Sequence, residues 1–258
     1  MTAAAQTHAD RIAIVTGAGR GIGQGIARLL AERGARLGVL DIDAGLAQAT
    51  AAEIGAAALG LGCDVADLAS VDAACAAIEQ AFGPVDILVN NAGISPKHKG
   101  RRADIQDMDP EEWRRVMAVN LDGAFNCVHR LAAGMIARRR GAIVNQSSVA
   151  GKTFFGDFPL TGVHYAASKA GLIGFTKHLA GELGPHGITV NAIAPGRIDT
   201  PLMRGVASEI NESIRGDTPL GRLGTPDDVA RVVCFLTGPD AGFVTGQTID
   251  VAGGWLIT

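Results

Sequence analysis

The sequence predicts a single α/β domain, a doubly wound parallel seven-stranded sheet with helices on both faces. Three observations carry that prediction. Short apolar segments alternate with longer amphipathic ones along the whole 258-residue chain. The apolar segments are nearly continuous, as expected of strands buried on both faces of a parallel sheet. No Pro- or Ser-rich linker, composition shift or internal repeat divides the chain.

Each element follows in order. "RIAIVTG" (11–17) predicts the first strand and "RGIGQGIARLLAERG" (20–34) the helix behind it. "ARLGVLDID", "AGLAQATAAEI" and "AAALGLGCDV" predict strand, helix, strand. "LASVDAACAAIEQAFG" predicts a helix and "VDILVNNAG" the fourth strand. One long helix is expected from Pro110 to Arg138, capped by Asp109 before the proline. "GAIVNQSS" is the fifth strand, Tyr165 to Leu183 a helix and "GITVNAIAPG" the sixth strand. "TPDDVARVVCFLTG" is a capped helix and "GQTIDVAGG" the last strand. Residues 1–10 read as a loose arm and 11–258 as the domain. Segments 94–108, 150–164 and 197–218 read as loops at the carboxyl ends of the strands, where ligands bind in open α/β sheets.

Composition narrows the function classes. Hydrophobic residues make up 47 %, charged residues 19 %, and there are 35 glycines, a globular profile with many tight turns. A formal net charge of -3 gives no global field for nucleic acid or an anionic membrane. Cys63, Cys75, Cys127 and Cys234 show no CxxC pair or metal-ligand spacing and read as buried hydrophobes, with no metal expected. "MTAAAQTHADR" lacks the pattern of a signal peptide, and no apolar run reaches the roughly 18 residues of a membrane span. A cytoplasmic protein is expected.

"TGAGRGIG" (16–23) sits between a predicted strand and helix, the context in which glycines let a backbone approach a pyrophosphate at a helix N-terminus. Gly17, Arg20, Gly21, Ile22 and Gly23 are the candidate contacts. Eighteen residues beyond Gly23, Asp41 ends the second strand. A carboxylate there can accept hydrogen bonds from the adenosine ribose and would repel a 2′-phosphate. Arg20 argues the other way. Asp41 meets the 2′ position directly, so NAD is favoured over NADP.

Tyr165 and Lys169 in "HYAASKAG" (164–171) share a helical face at spacing i, i+4. Tyr165 is the single tyrosine of the chain. A nearby ammonium would lower its pKa from about 10 toward neutrality and suit it to exchange a proton with a substrate oxygen. Ser148, ending the fifth strand, could bind the same oxygen.

With "TGxxxGIG", "NNAG", Ser…"YxxxK" and "PG" in order, the chain resembles the short-chain dehydrogenase/reductase family over nearly its whole length. The resemblance implies a Rossmann fold, Tyr165 as general acid/base, Lys169 as its tuner and nicotinamide-ribose ligand, and Ser148 as the residue that orients the substrate oxygen. Asn120, in "VMAVNLDG", matches the asparagine that anchors a proton-relay water. Asp64 and Val65 match the adenine contacts and Asn91 a cofactor asparagine, with Asn90 structural. Pro195 and Gly196 match the loop under the nicotinamide, and Ile198 and Thr200 its carboxamide contacts. Ser148 and Tyr165 lie 17 positions apart, more than in many family members. The added residues, "GKTFFGDFPLTGVH", are expected to reshape the substrate pocket.

"PKHKGRR" (96–102), with Arg101 and Arg102, and also Arg197 and Arg204, could receive an anionic substrate group or could equally be solvated. "RRR" (138–140) suits a helix C-terminus. The leading function is an NAD-dependent dehydrogenase of a secondary alcohol, a sugar, polyol or hydroxy acid. A 3-oxoacyl-carrier-protein reductase is the alternative, for which "RRR" partly supplies a carrier-docking patch. A non-catalytic dinucleotide-binding regulator is the alternative of another class. The resemblance also implies a homotetramer, with one interface on helices 110–138 and 165–183 and another at "GGWLIT".

Overall fold

Ile12–Thr16 (β1) is buried at every position and pairs in parallel with Arg36–Asp41 (β2) on one side and Ile87–Asn90 (β4) on the other. Ala58–Gly62 (β3) extends the β2 edge. Gly141–Gln146 (β5), Ile188–Pro195 (β6) and Thr248–Val251 (β7) extend the β4 edge, giving the order β3-β2-β1-β4-β5-β6-β7. The chain starts mid-sheet and winds outward both ways, so the order reverses between β1 and β4, where open α/β sheets bind ligands. The molecule is described from a computed structural model covering residues 6–98, 100–154, 160–201 and 208–257. The expected parallel seven-stranded sheet is present.

Period-two alternation splits the core. Ala13 and Val15 face one layer with Ile26 and Leu30 of Gly21–Glu32 (α1), Ala47 and Ala51 of Ala44–Ile54 (α2), and Val233 of Pro226–Thr237 (α8). Ile12 and Ile14 face the other with Ile78 of Leu68–Phe82 (α3), Leu131 and Met135 of Gly123–Arg138 (α5), and Leu183 of Val163–Leu183 (α6). Each such side chain contributes about 1.5–3 kcal/mol through burial. Asp43, Asp67, Asp109 and Thr225 cap α2, α3, Pro110–Met117 (α4) and α8, and Thr225 forms a reciprocal capping box with Asp228.

Four expectations change. The long helix is interrupted: α4 and α5 are separated by a π-turn at Ala118–Asp122 with buried Asn120 at its centre. Hydrophobic spacing does not record one extra residue in a turn, and such turns recur at functional sites. The loop 197–218 contains Ser208–Asp217 (α7), whose sequence offers only Ile210 and Ile214 as an apolar stripe. Residues 6–10 are not a loose arm. His8 is fully buried, its amide donates to Arg33 O and its ring meets Thr237 Oγ1 at 2.9 Å. Finally, the "RRR" run does more than end a helix. Arg138 and Arg140 approach Asp86 at 3.7 and 3.3 Å, and Arg139 donates to Pro185 O.

Candidate active site

The loop after β1 is shaped by close contacts. Asn91 donates both amide hydrogens, to Thr16 O (2.7 Å) and Gly17 O (2.9 Å), and so clamps the end of β4 to the glycine loop. A Cβ on Gly23 would stand 2.5 Å from that same Asn91 Nδ2, so only glycine fits. Gly17 takes φ 60°, the left-handed region that favours glycine. Among the described residues no side chain caps α1: Arg20, at the N-cap, is exposed and makes no capping bond, so the amides of Gly21, Ile22 and Gly23 open a free helix N-terminus.

Asp41 reaches into this loop. Its Oδ2 accepts the Gly19 N–H (2.9 Å) and its Oδ1 the Asp43 N–H (3.1 Å). Each oxygen keeps a lone pair for a further donor. Val65 is buried and its carbonyl accepts Asn126 Nδ2, while exposed Asp64 accepts the Ala66 N–H. Across the cleft, Gly196 N–H donates to Val251 O, and buried Ile198 bridges Gly224. The Thr200 side chain comes to the glycine loop: a Cβ on Gly21 would be 3.6 Å from its methyl. Pro195 ends β6 opposite Val251. These residues fit a dinucleotide, with glycines where a Cβ would fill the cradle, an uncapped helix start and a carboxylate at the β2 end.

Ser148, Tyr165, Lys169 and Asn120 converge. Ser148 is buried at the end of β5, where its hydroxyl accepts the Ala150 N–H (3.2 Å). Lys169 is 2 % exposed, donates to Gln146 O (2.6 Å), and holds its ammonium 5.6 Å from the Tyr165 ring centroid. Burial lowers Lys169 to about 8, close to where it can give up a proton. Burial also raises the Tyr165 phenol, and the Ser148 hydroxyl pulls it back. The expected lowering of Tyr165 is thus not a property of the protein alone. Lys169 sits over the ring with its charge spent on a backbone carbonyl, and desolvation dominates.

Asn120 accepts the Ile94 N–H (2.8 Å) and donates to Ile94 O and Ser168 Oγ, both 3.0 Å. Ser168 in turn donates to Tyr165 O. A Cβ on Gly93 would be 3.3 Å from both Asn120 Oδ1 and Lys169 Nζ, so a side chain here would crowd both groups. Gly93, Ser168 and Ser147, whose hydroxyl holds Lys169 O at 2.7 Å, were not singled out by the sequence. Gly93 alone had a signal, inside "NNAG".

The basic groups at the mouth are largely engaged. Arg197 donates Nε and Nη2 to Asn211 Oδ1 of α7, Arg102 donates to Thr161 O, and Arg101 pairs with the His98 backbone. The Lys97 ammonium, held by Ser95, is lowered to about 8 by desolvation and then by the Arg197 cation, although the side chain as a whole is exposed. Arg204 lies outside the described residues, as do Phe155 and Phe158 of the extended loop. Phe154 is 76 % exposed, so it does not cover the pocket, whereas Leu160 is buried. Arg197 also lines a cleft of about 270 Å³ with Thr218, Leu220 and Gly253 between α7 and the last strand.

Two histidines complete the site. His98 and His164 each place Nε2 on the Glu112 carboxylate, at 2.7 and 2.9 Å. Neither was anticipated, although His164 stands beside Tyr165 in sequence.

Comparison with known proteins agrees with this geometry. A family model described as Enoyl-(Acyl carrier protein) reductase matches residues 17–256. The 3-oxoacyl-[acyl-carrier-protein] reductase of Vibrio cholerae serotype O1 is 42 % identical over 245 residues, 95 % of this chain and 96 % of that protein. A crystal structure of a 3-oxoacyl-[acyl-carrier protein] reductase from Brucella melitensis superposes with a TM-score of 0.92 at 48 % identity, covering 98 % of this chain and 94 % of the other. Another from the same organism, with bound NAD, gives 0.90 at 47 % identity, with the same coverage. The family model and these relatives show that the chain, with its fold and glycine loop, belongs to the short-chain dehydrogenase/reductase family of oxidoreductases.

Proposed function

We propose that the chain interconverts a secondary alcohol and its ketone, with NAD in preference to NADP, on a 3-hydroxyacyl/3-oxoacyl substrate. The observation that carries the reaction is the convergence of Tyr165, Ser148 and Lys169 at the carboxyl ends of the strands. The bound nicotinamide would supply or receive the hydride. Tyr165 Oη moves the accompanying proton, taking it from the alcohol in oxidation and giving it to the carbonyl oxygen in reduction. Ser148 Oγ donates to that oxygen and fixes its position. Lys169, its ammonium 5.6 Å from the Tyr165 ring centroid, has an amine form within reach near pH 8. Asn120 holds Ile94 and Ser168 around this pair, consistent with a relay leading out past Lys169.

Gly17, Arg20, Gly21, Ile22 and Gly23 would hold the pyrophosphate, Asp64 and Val65 the adenine, and Asn91 the glycine loop at the cofactor. Pro195, Gly196, Ile198 and Thr200 would hold the nicotinamide. Asp41 supports NAD, since a 2′-phosphate would meet its negative charge, and a neighbour with bound NAD agrees. The substrate class is supported by relatives acting on 3-oxoacyl groups. The Lys97 and Arg197 cations at the mouth suit an anionic substrate.

A second reading, a free sugar, polyol or hydroxy acid, is favoured by one observation. Arg138 and Arg140 lie at the opposite end of the sheet, held by Asp86, so that run is not a docking patch beside the site. A homotetramer is supported by exposed Trp113 and Phe125 on α4 and α5 and by Ile257 after the last strand. Among the described residues no helix is long and apolar enough to cross a membrane.

The test is nicotinamide absorbance with acetoacetyl and 3-hydroxybutyryl thioesters beside sugars, polyols and hydroxy acids, each with NAD(H) and NADP(H). Turnover of the thioesters with NADH supports the leading reading. Turnover of a free alcohol alone establishes the second, and preference for NADPH overturns the role of Asp41. Tyr165→Phe should abolish turnover while dinucleotide binding persists.

A further inference from the structure

A hydrogen-bonded network of His98, Glu112 and buried His164 reaches the backbone of the proposed acid/base. Gly162, at the N-cap of α6, has no side chain to satisfy the helix's free amides. The His164 ring takes that place: its Nδ1 accepts the Tyr165 N–H at 2.6 Å. An amide can only donate, so the ring hydrogen must sit on Nε2, and Nε2–H donates to Glu112 Oε1. A Cβ on Gly162 would stand 2.8 Å from Nδ1, so the glycine that cannot cap also makes room for the ring that does.

Glu112 is shared. Its other oxygen meets Nε2 of His98, in the loop after β4. Burial alone would raise its carboxyl, but hydrogen bonds from His164 and His98 outweigh this and hold it below the usual carboxylate range, ionised and accepting. His164 is fully buried, whereas the His98 side chain is 58 % exposed. Among the described residues no group of His, Cys, Asp and Glu is arranged to hold a metal ion, so this cluster works by hydrogen bonds.

We propose that Glu112 and His164 are positioning residues. They fix the first turn of α6, and with it the Tyr165 phenol against Ser148 and Lys169. Through His98 the same carboxylate tethers the loop that borders the substrate, so acid/base and substrate loop share one anchor. This inference rests on Tyr165 being the acid/base.

Because the chain has one tyrosine, phenolate absorbance on alkaline titration reports Tyr165 alone. His164→Phe keeps a buried ring and removes both nitrogens. It should lower kcat about tenfold or more with dinucleotide affinity held within about twofold, and shift the phenol midpoint. His164→Asn, which returns an acceptor at the Nδ1 position, should recover part of the loss. His98→Ala should raise substrate KM more than it lowers kcat. The double variant Glu112→Ala/His164→Phe should lose less than the product of the single losses, as for residues acting in one network.

An undiminished kcat or an unmoved phenol midpoint in His164→Phe overturns the proposal, as does an equal loss of dinucleotide affinity. Should that variant not fold, Glu112→Gln decides: kcat lowered about threefold at full folding supports the proposal, and a wild-type kcat overturns it. An active Tyr165→Phe enzyme would remove the underlying reading. An inactive one beside a fully active His164→Phe would remove the positioning role alone.

Discussion

Two carboxylates, buried Asp86 and half-buried Glu112, stand at opposite ends of the sheet, and their partners differ in kind. At the amino ends, Asp86 precedes β4, accepts the Ile12 N–H, and has Arg11, Arg138 and Arg140 within 4 Å. At the carboxyl ends, Glu112 is bound by two imidazoles, one of them touching the backbone of Tyr165. Guanidinium groups hold a carboxylate by their charge, whereas imidazoles hold it through one directed N–H. The amino end is tied by guanidinium charges from the entrances of β1 and β5 around a carboxylate at the entrance of β4. The end that carries the proposed site is tied by directional hydrogen bonds to a ring and a helix start.

The largest expected effect that tests this contrast is Asp86→Ala. Removing the carboxylate leaves Arg11 desolvated without its partner and should cost about 3–5 kcal/mol of stability. Urea unfolding would show it, while kcat of the folded fraction stays unchanged. Glu112→Ala should do the reverse, with an activity loss of about tenfold and a stability loss well below that of Asp86→Ala. Matching losses in both variants would erase the distinction between the ends.

Alkaline unfolding should affect both ends equally, because it acts on the core between them. Burial raises the thiols of Cys75 and Cys234 to about 12 from 9.0, and raises Cys63 and Cys127 as well. Above pH 9 the unfolded chain loses these protons while the folded chain retains them, so stability falls as pH rises from 9 toward 12. Thermal melts across that window should show the fall, shallower in a Cys75→Ala/Cys234→Ala variant.

The smallest effect qualifies the comparison. His8, at the amino end, is lowered to about 4 by burial and then by Arg33 and Arg11. Below pH 6.5 the unfolded chain takes up this proton first, so stability falls from 6.5 toward 4. His8→Gln should flatten melts in that window, and an unchanged slope would show that the His8 contact carries no weight at the amino end.

Much of this was legible in the sequence for local reasons. Apolar runs of strand length, caps such as Asp109 and the Thr225–Asp228 box, and glycines at a strand–helix junction act within a few residues. Tyr165 and Lys169 were legible because their types and spacing carry the chemistry and Ser148 by its place near a strand end, whereas Asn120 rested on the family resemblance. The π-turn at Ala118–Asp122 was not, since one added residue in a turn leaves the hydrophobic period almost intact. The helix α7 was not, since its stripe holds two isoleucines among polar residues.

The sequence by itself determined the parallel sheet, the glycine cradle and the Tyr165–Lys169 pair, because each depends on neighbours along the chain. Only the tertiary structure decided what surrounds them. Asn91 clamps a loop 74 residues earlier, and Glu112 reaches a histidine 52 residues later. Burial decided that Lys169 is lowered and Tyr165 raised. Such pairings and desolvation costs arise when distant segments close on one another, and no spacing along the chain encodes them.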